Sequence, residues 1–323
     1  MFRVVGSLLF ALACGGDPEG STDGRLRVAL LTPGSIRDAG WNQSAYEGLL
    51  LIREELGAGT AHQETRTPQD FEVGFRDFAA RGYDLVIGHG FEFQDAAATV
   101  GAEFPDTVFI TTSGSTLRAN VAPIVFELEQ ATYVLGFVGA RLSRTGRLGA
   151  IGGMEIPSVA STFLAFEAGA LAGRPDARVT TSYVGSWEDV ASAREATLAQ
   201  IAAGADVLIH NADAAGRGFF QAIDERDDVY GFGTNRDQNH LAPRSVLASA
   251  VLDIPRALLL VAREVEEGRF HARSIRFGFR DGVVRLAWND ALASELPKGL
   301  REAADGLVRR IESGELEVPR AGF

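Results

Sequence analysis

The sequence predicts an α/β protein of two lobes with mostly parallel sheets, and three observations predict it. From Arg27 onward short apolar runs alternate with longer amphipathic segments. The apolar runs are continuous rather than strictly alternating, as suits parallel strands covered on both faces. The chain has 323 residues, more than one hydrophobic core usually organises, so two lobes with a cleft between them are expected.

The strand candidates are "RVALLT" (27–32), "DLVIGHG" (84–90), "TVFITT" (107–112), "RLGAIGG" (147–153), "RVTTSYVG" (178–185), "DVLIHN" (206–211) and "VYGFGT" (229–234). Between them lie helical patterns. "QSAYEGLLLIREEL" puts Ala45, Leu49, Ile52 and Leu56 on one face, and "QDFEVGFRDFAARG" does the same with Phe71, Phe75 and Phe78 before Gly82 ends it. "ASAREATLAQIAAG" repeats the pattern with Ala193, Leu198 and Ile201, closed by Gly204. Strand and helix alternate at βαβ spacing, which implies right-handed crossovers. Late in the chain "SIRFGFRDGVVRLAWND" alternates like an antiparallel hairpin around Asp281 and Gly282, in a stretch expected to cross back between lobes. The first lobe is expected over residues 25–126 plus about 247–277, and the second over 127–246 plus about 278–323.

Composition narrows the function classes. Hydrophobic residues make up 46% and charged residues 23%, which is ordinary for a globular chain. The formal net charge is −12, with no Lys/Arg cluster to neutralise a run of phosphates, so a nucleic-acid partner is not expected. The single cysteine, Cys14, excludes an intrachain disulfide and a multi-cysteine zinc site. Its setting is informative. Arg3, an apolar stretch from Val4 to Ala13 and small residues at Ala11 and Ala13 precede it, which resembles a bacterial lipoprotein signal cleaved to leave a lipid-bearing Cys14. A plain secretory signal is the alternative, and either way the stretch is too short for a mature bilayer span. Residues 1–24 are then signal and tether, and the protein is expected to be exported and held at the cell membrane by lipid.

In open parallel sheets ligands bind beyond the carboxyl ends of the strands. The loops there carry flat side chains at Trp41, Phe91, Phe93 and Trp187. They carry donors and acceptors at Asn42, Ser113, His210, Asn211, Asp213, Asn235, Asp237 and Gln238. Stacking faces beside polar edges suit a planar heterocycle. "TTSGS" and "GGMEIPS" lack the P-loop lysine and the G-x-G-x-x-G spacing. There is no G-x-S-x-G nucleophile elbow, and the five histidines lack the helical spacing of a zinc pair, so no cofactor, metal or catalytic residue is expected.

"DAGWNQSAYEGL" resembles the "D-x-S-F-N-Q-S-A-x-E-G" segment of the basic membrane protein family, solute-binding lipoproteins of ABC importers that include purine nucleoside receptors. "IGGMEIPSV", "YVGSWED", "GADVLIHNADAAGRGFFQA" and "RDQN" extend the resemblance in order to about Gln238. It implies a type I periplasmic-binding-protein fold, two Rossmann-like lobes joined by a multi-strand hinge. It also implies a small-molecule solute and permease and ATPase partners. By matching segments, Trp41 and Trp187 take the places of the family's stacking phenylalanines, and Asn42 stays Asn. The family's ribose-binding Asp corresponds to Asn235 and a usual Lys to Leu252, which removes the charge-assisted contacts to a sugar.

The expected function is therefore capture of a small planar solute, purine base or nucleoside-like, between the lobes. The ligand-binding set is Trp41, Asn42, Phe91, Ser113, Trp187, His210, Asn211, Asp213, Asn235 and Asp237, with Cys14 as the lipid attachment site. Two alternatives stay open at this point. One is an α/β enzyme acting on a nucleoside or sugar with Asp38, Asp213 or Asp237 as acid or base. The other is a ligand-sensing module that signals to a partner protein.

Overall fold

The computed structural model describes residues 24–38 and 40–322. Cys14 and the signal-like stretch lie outside the described residues.

The first sheet begins with β1 (Arg27–Thr32), α1 (Trp41–Leu56), β2 (Gly59–Glu64), α2 (Pro68–Ala80), β3 (Leu85–Gly88), α3 (Gln94–Gly101), β4 (Val108–Thr112) and β5 (Val121–Phe126). The second is built from α4 (Leu128–Leu142), β6 (Arg147–Gly152), α5 (Pro157–Gly173), β7 (Arg178–Tyr183), α6 (Val190–Ala202), β8 (Val207–Asn211), α7 (Gly216–Asp224), β9 (Tyr230–Asn235) and β10 (Val246–Leu252). The chain returns through α8 (Ile254–Glu266) to β11 (Ile275–Phe277), then back to β12 (Val284–Trp288) and α9 (Leu300–Glu312). Among the described residues this gives two six-stranded sheets, ordered β11-β5-β4-β3-β1-β2 and β12-β10-β9-β8-β6-β7. Every pairing is parallel except that of β10 with β12. This is the two-sheet α/β architecture the sequence predicts.

The period of two in a strand decides which helix covers which face. On β1, Val28 and Leu30 pack with Leu49 and Ile52 of α1, while Ala29 and Leu31 pack with Phe71 and Phe75 of α2. A continuous apolar strand is what two covered faces require. Thr67 and Asp70 form a capping box that starts α2, and Gly82 (φ 74°) takes the left-handed turn after it. On α6 the buried face is Ala193, Thr197 and Gln200 rather than the expected Ala193, Leu198 and Ile201. The Gln200 amide donates to Ala150 O (3.2 Å) and Ser182 Oγ (2.9 Å), so a polar residue faces inward and Leu198 stays half-exposed.

Two expectations change. The stretch around Asp281 and Gly282 is not a hairpin, because β11 pairs with β5 and β12 with β10, in different sheets. Residues 247–252 also belong to β10 in the second sheet, so the return to the first lobe begins after Leu252 rather than at 247. Its run "VLASAVL", with three small residues between two Val/Leu pairs, is buried throughout between β9 and β12.

Three connections join the sheets: β5 to α4, β10 to α8, and β11 to β12. The third is tied to the other two, with Glu127 N–H donating to Phe277 O (2.8 Å) and Asp253 N–H to Val283 O (2.7 Å), and it closes on itself where Val284 N–H donates to Gly278 O (3.1 Å). This is a three-chain hinge. In the second lobe α4 and α5 pack backbone to backbone. A Cβ on Gly136 would stand 2.0 Å from Phe166 O, and one on Gly169 would stand 1.9 Å from Tyr133 O. Gly169→Ala is therefore expected to destabilise the protein by about 1–3 kcal/mol, as overpacking of a tight core does, read as a lower urea midpoint with an unchanged slope.

Candidate functional site: the cleft between the sheets

A cavity of about 790 Å³ lies where the strand ends of the two sheets face each other. Trp41, Asn42, Phe91, Ser113 and Phe126 line it from the first lobe; Trp187, Asn211, Asp213 and Asn235 line it from the second, and Leu252 from the hinge.

Trp41 opens α1, and its position is set by Asp38. The Asp38 carboxylate accepts from the Gly40, Asn42 and Gln43 amides at 2.9, 2.8 and 3.0 Å, which caps the helix N-terminus. It also accepts from Asn42 Nδ2 (2.9 Å). That bond fixes the Asn42 amide, and its Oδ1 is buried with no partner among the described residues. An orphaned buried acceptor costs about 1–3 kcal/mol, a cost the fold carries at this corner.

Behind Trp41 stands His89, 48 residues away in the chain and outside the expected ligand-binding set. The rings stack at 4.2 Å between centroids with 24° between planes. His89 Nε2–H donates to Trp41 O (3.1 Å), and Nδ1 accepts from Thr112 Oγ1 (3.1 Å). Burial pushes its pKa down to about 3, so the ring is a neutral platform. The Phe126 edge meets Trp41 at 6.0 Å and 88°. Across the cleft Trp187 lies against Gly153, where a Cβ would stand 2.3 Å from the indole, and its carbonyl accepts from Ala215 N–H (2.8 Å). Both indoles are half-buried.

Among the described residues three non-glycine residues have positive φ, Ser113 (62°), Asp213 (49°) and Asn235 (65°), and all three line the cavity. Each follows or ends a strand, β4, β8 and β9. Such backbone is strained, and strain of this kind concentrates at functional sites. Asn235 Nδ2 donates to Asn211 Oδ1 (3.3 Å), and Asn211 Nδ2 to Thr162 Oγ1 (3.2 Å), a neutral polar chain at the hinge end. Burial first, then the nearby Asp38 and Glu188 charges, pushes the Asp213 carboxyl up to about 7; the Trp41 N–H and Arg217 oppose the shift.

Two expected site residues are elsewhere. His210 is buried behind the sheet wall, tilted against Phe219 at 4.9 Å, with Nε2–H donating to Gln238 Oε1 (2.9 Å) and its pKa pushed down to about 4 by burial. Neighbouring strand residues point to opposite faces, so with Asn211 in the cleft His210 points away. Asp237 lies beyond the turn after β9, accepts from Asn239 N–H (3.1 Å) and lines a smaller cavity of about 300 Å³. Gln238 draws that loop back by accepting also from Thr234 N–H (2.8 Å). Phe93 is fully buried in the first lobe's core. Among the described residues no cluster of His, Cys, Asp and Glu is placed to hold a metal ion, and no helix is long and apolar enough to cross a membrane.

A cleft walled by two Rossmann-like lobes is a shape many solute receptors share, and comparison with known proteins narrows it. The family described as ABC transporter substrate-binding protein PnrA-like matches residues 25–317, nearly all of the described chain. The chain belongs to this PnrA-like substrate-binding family.

Basic membrane protein A1 of Borrelia garinii subsp. bavariensis is 28% identical over 95% of this chain and 92% of its own. The ABC transporter nucleoside-binding protein BmpA of Lactococcus lactis subsp. cremoris is 25% identical over 98% and 99%. Among solved structures, an ABC transporter solute-binding protein from Conexibacter woesei superposes with a TM-score of 0.73 at 28% identity, over 91% of this chain and 99% of that one. A transcriptional activator of the comK gene from Bacillus halodurans superposes with a TM-score of 0.78 at 27% identity, over 91% and 100%. As a PnrA-like protein the chain is a solute-binding component that serves permease and ATPase partners.

The raised Asp213 pKa makes a signed prediction. Between the ordinary carboxylate range and about pH 7 the unfolded chain releases this proton before the folded one does, so Asp213 costs stability as pH rises through that window. The stability difference between Asp213→Asn and the wild type should therefore move in the variant's favour from pH 4 to pH 8, as read by urea denaturation at each pH.

Proposed function

We propose that the protein captures a small planar solute, a purine base or a nucleoside-like molecule, between Trp41 and Trp187 and delivers it to an ABC permease. The observation that carries this reading is the pair of half-buried indoles on opposite walls of one cavity, one of them backed by a neutral stacked histidine. Asn42, Asn211, Asp213 and Asn235 supply polar contacts at the edges of the ring, with Phe91 and Ser113 completing the first-lobe wall. The name of the Lactococcus relative supports a nucleoside-like guest. Here the hinge end offers Asn235 and the apolar Leu252 to the cavity, with no fixed opposite charges to grip a ribose. A free base is therefore expected to bind at least as tightly as its nucleoside.

Isothermal titration with purine bases and their nucleosides tests the reading. Trp41→Ala and Trp187→Ala should each weaken binding by roughly 5- to 100-fold, the range of base–aromatic stacking. Unchanged affinity in both variants rejects the sandwich. The likeness to a transcriptional activator favours a second reading, a sensor that captures the same solute for signalling. Loss of solute uptake on deletion of the gene decides for transport.

We also infer that Cys14 carries the lipid that keeps the receptor at the membrane, with residues 15–24 as tether. Cys14→Ser should move the protein from the membrane to the soluble fraction and abolish labelling by radioactive palmitate.

A further inference from the structure

Two sets of hydrogen bonds join the lobes beside the cavity, and both use the first half of α1. Asp213, on the loop after β8, reaches across the cleft so that its Oδ1 accepts from the Trp41 N–H (3.3 Å). The approach needs Gly40, because a Cβ there would stand 2.5 Å from that oxygen. Asp213 itself holds left-handed backbone, at φ 49°. The second set comes from Arg236, just past β9. Its guanidinium donates to Ser44 Oγ (3.1 Å) and to Glu47 Oε1 (3.3 Å), two residues on the same face of α1. Asp38 caps α1 from its own lobe, so the helix N-terminus holds one carboxylate in cis and a second across the gap.

We propose that Asp213 and Arg236 form a two-point latch from the second lobe onto α1, which biases the solute-free protein toward the closed state and positions Trp41 against the solute. In this reading Asp213 is a positioning residue that acts through the Trp41 backbone. The inference rests on the capture reading for its biological use, but its physical content concerns the lobes alone. Both contacts join groups that separate when the lobes swing apart, and the Arg236 guanidinium makes its contact with Glu47 a charge-assisted one. Losing either should lower the ratio of closed to open molecules by about tenfold.

Small-angle X-ray scattering and amide hydrogen exchange on the full chain without solute test this. Asp213→Gly removes the carboxylate while suiting the positive φ, and Arg236→Ala removes the second contact. The double variant should show a larger radius of gyration than the wild type and about tenfold faster exchange in the segment spanning residues 40–44. Asp213→Asn keeps an acceptor oxygen, tolerates the same backbone and should restore the compact form in the otherwise wild-type chain. Circular dichroism at each step confirms folding. A double variant with wild-type radius and exchange overturns the latch, and so does an Asn variant as open as the Gly one. Titration with hypoxanthine and inosine separates the two ideas. If neither binds the wild type, the capture reading fails while scattering still decides the latch. If they bind, the double variant should release them faster and Trp187→Ala should weaken them without changing the radius.

Discussion

The Asp38 carboxylate accepts three backbone amides at the start of α1 and one side-chain amide from Asn42. A helix N-terminus carries partial positive charge and unsatisfied N–H groups, so a carboxylate seated there is stabilised twice over. The consequence for the cleft is directional. With the first turn of α1 fixed, the Trp41 indole lies against His89 and Asn42 cannot rotate its amide without losing a charge-assisted bond. The flat surface of Trp41 is thus fixed by the fold itself, and a surface ordered in advance costs little to order in a contact.

The second lobe builds its wall differently. Asp213 and Asn235 sit at strand ends in left-handed backbone, and Ser113 does so opposite them in the first lobe. Short polar residues tolerate this conformation better than branched ones, which explains the residue types but not their strain. The hydrophobic platforms beneath, Phe219 and Phe232 in the second lobe and Phe75 and Phe93 in the first, are fully buried and supply the rigidity that holds the strain in place.

Charge is arranged unevenly in the cleft. Asp38 is satisfied by amides, whereas Asp213 has its proton held by burial and by the neighbouring acidic groups. The hinge end, at Leu252 and the Asn211–Asn235 pair, carries no formal charge. Such a hinge end offers little to a strongly charged guest.

The sequence by itself determined the two-sheet fold, because continuous apolar runs such as Val28 to Leu31 can be satisfied only by helices on both faces, and Gly82 and Gly204 punctuate those helices locally. It also determined the corner at the start of α1, since "DAGWN" holds cap, indole and amide within five residues. Tertiary structure decided what depends on facing and on distance along the chain. Strand alternation turned His210 inward beside Phe219 while Asn211 took the cleft, and Gln238 pulled the β9 loop back so that Asp237 left it. His89 is 48 residues from Trp41, and Asp213 is 172 residues from it. Local patterns specify period and caps, but contacts across such separations exist only once the sheets have brought their strand ends together, so no local pattern can announce them.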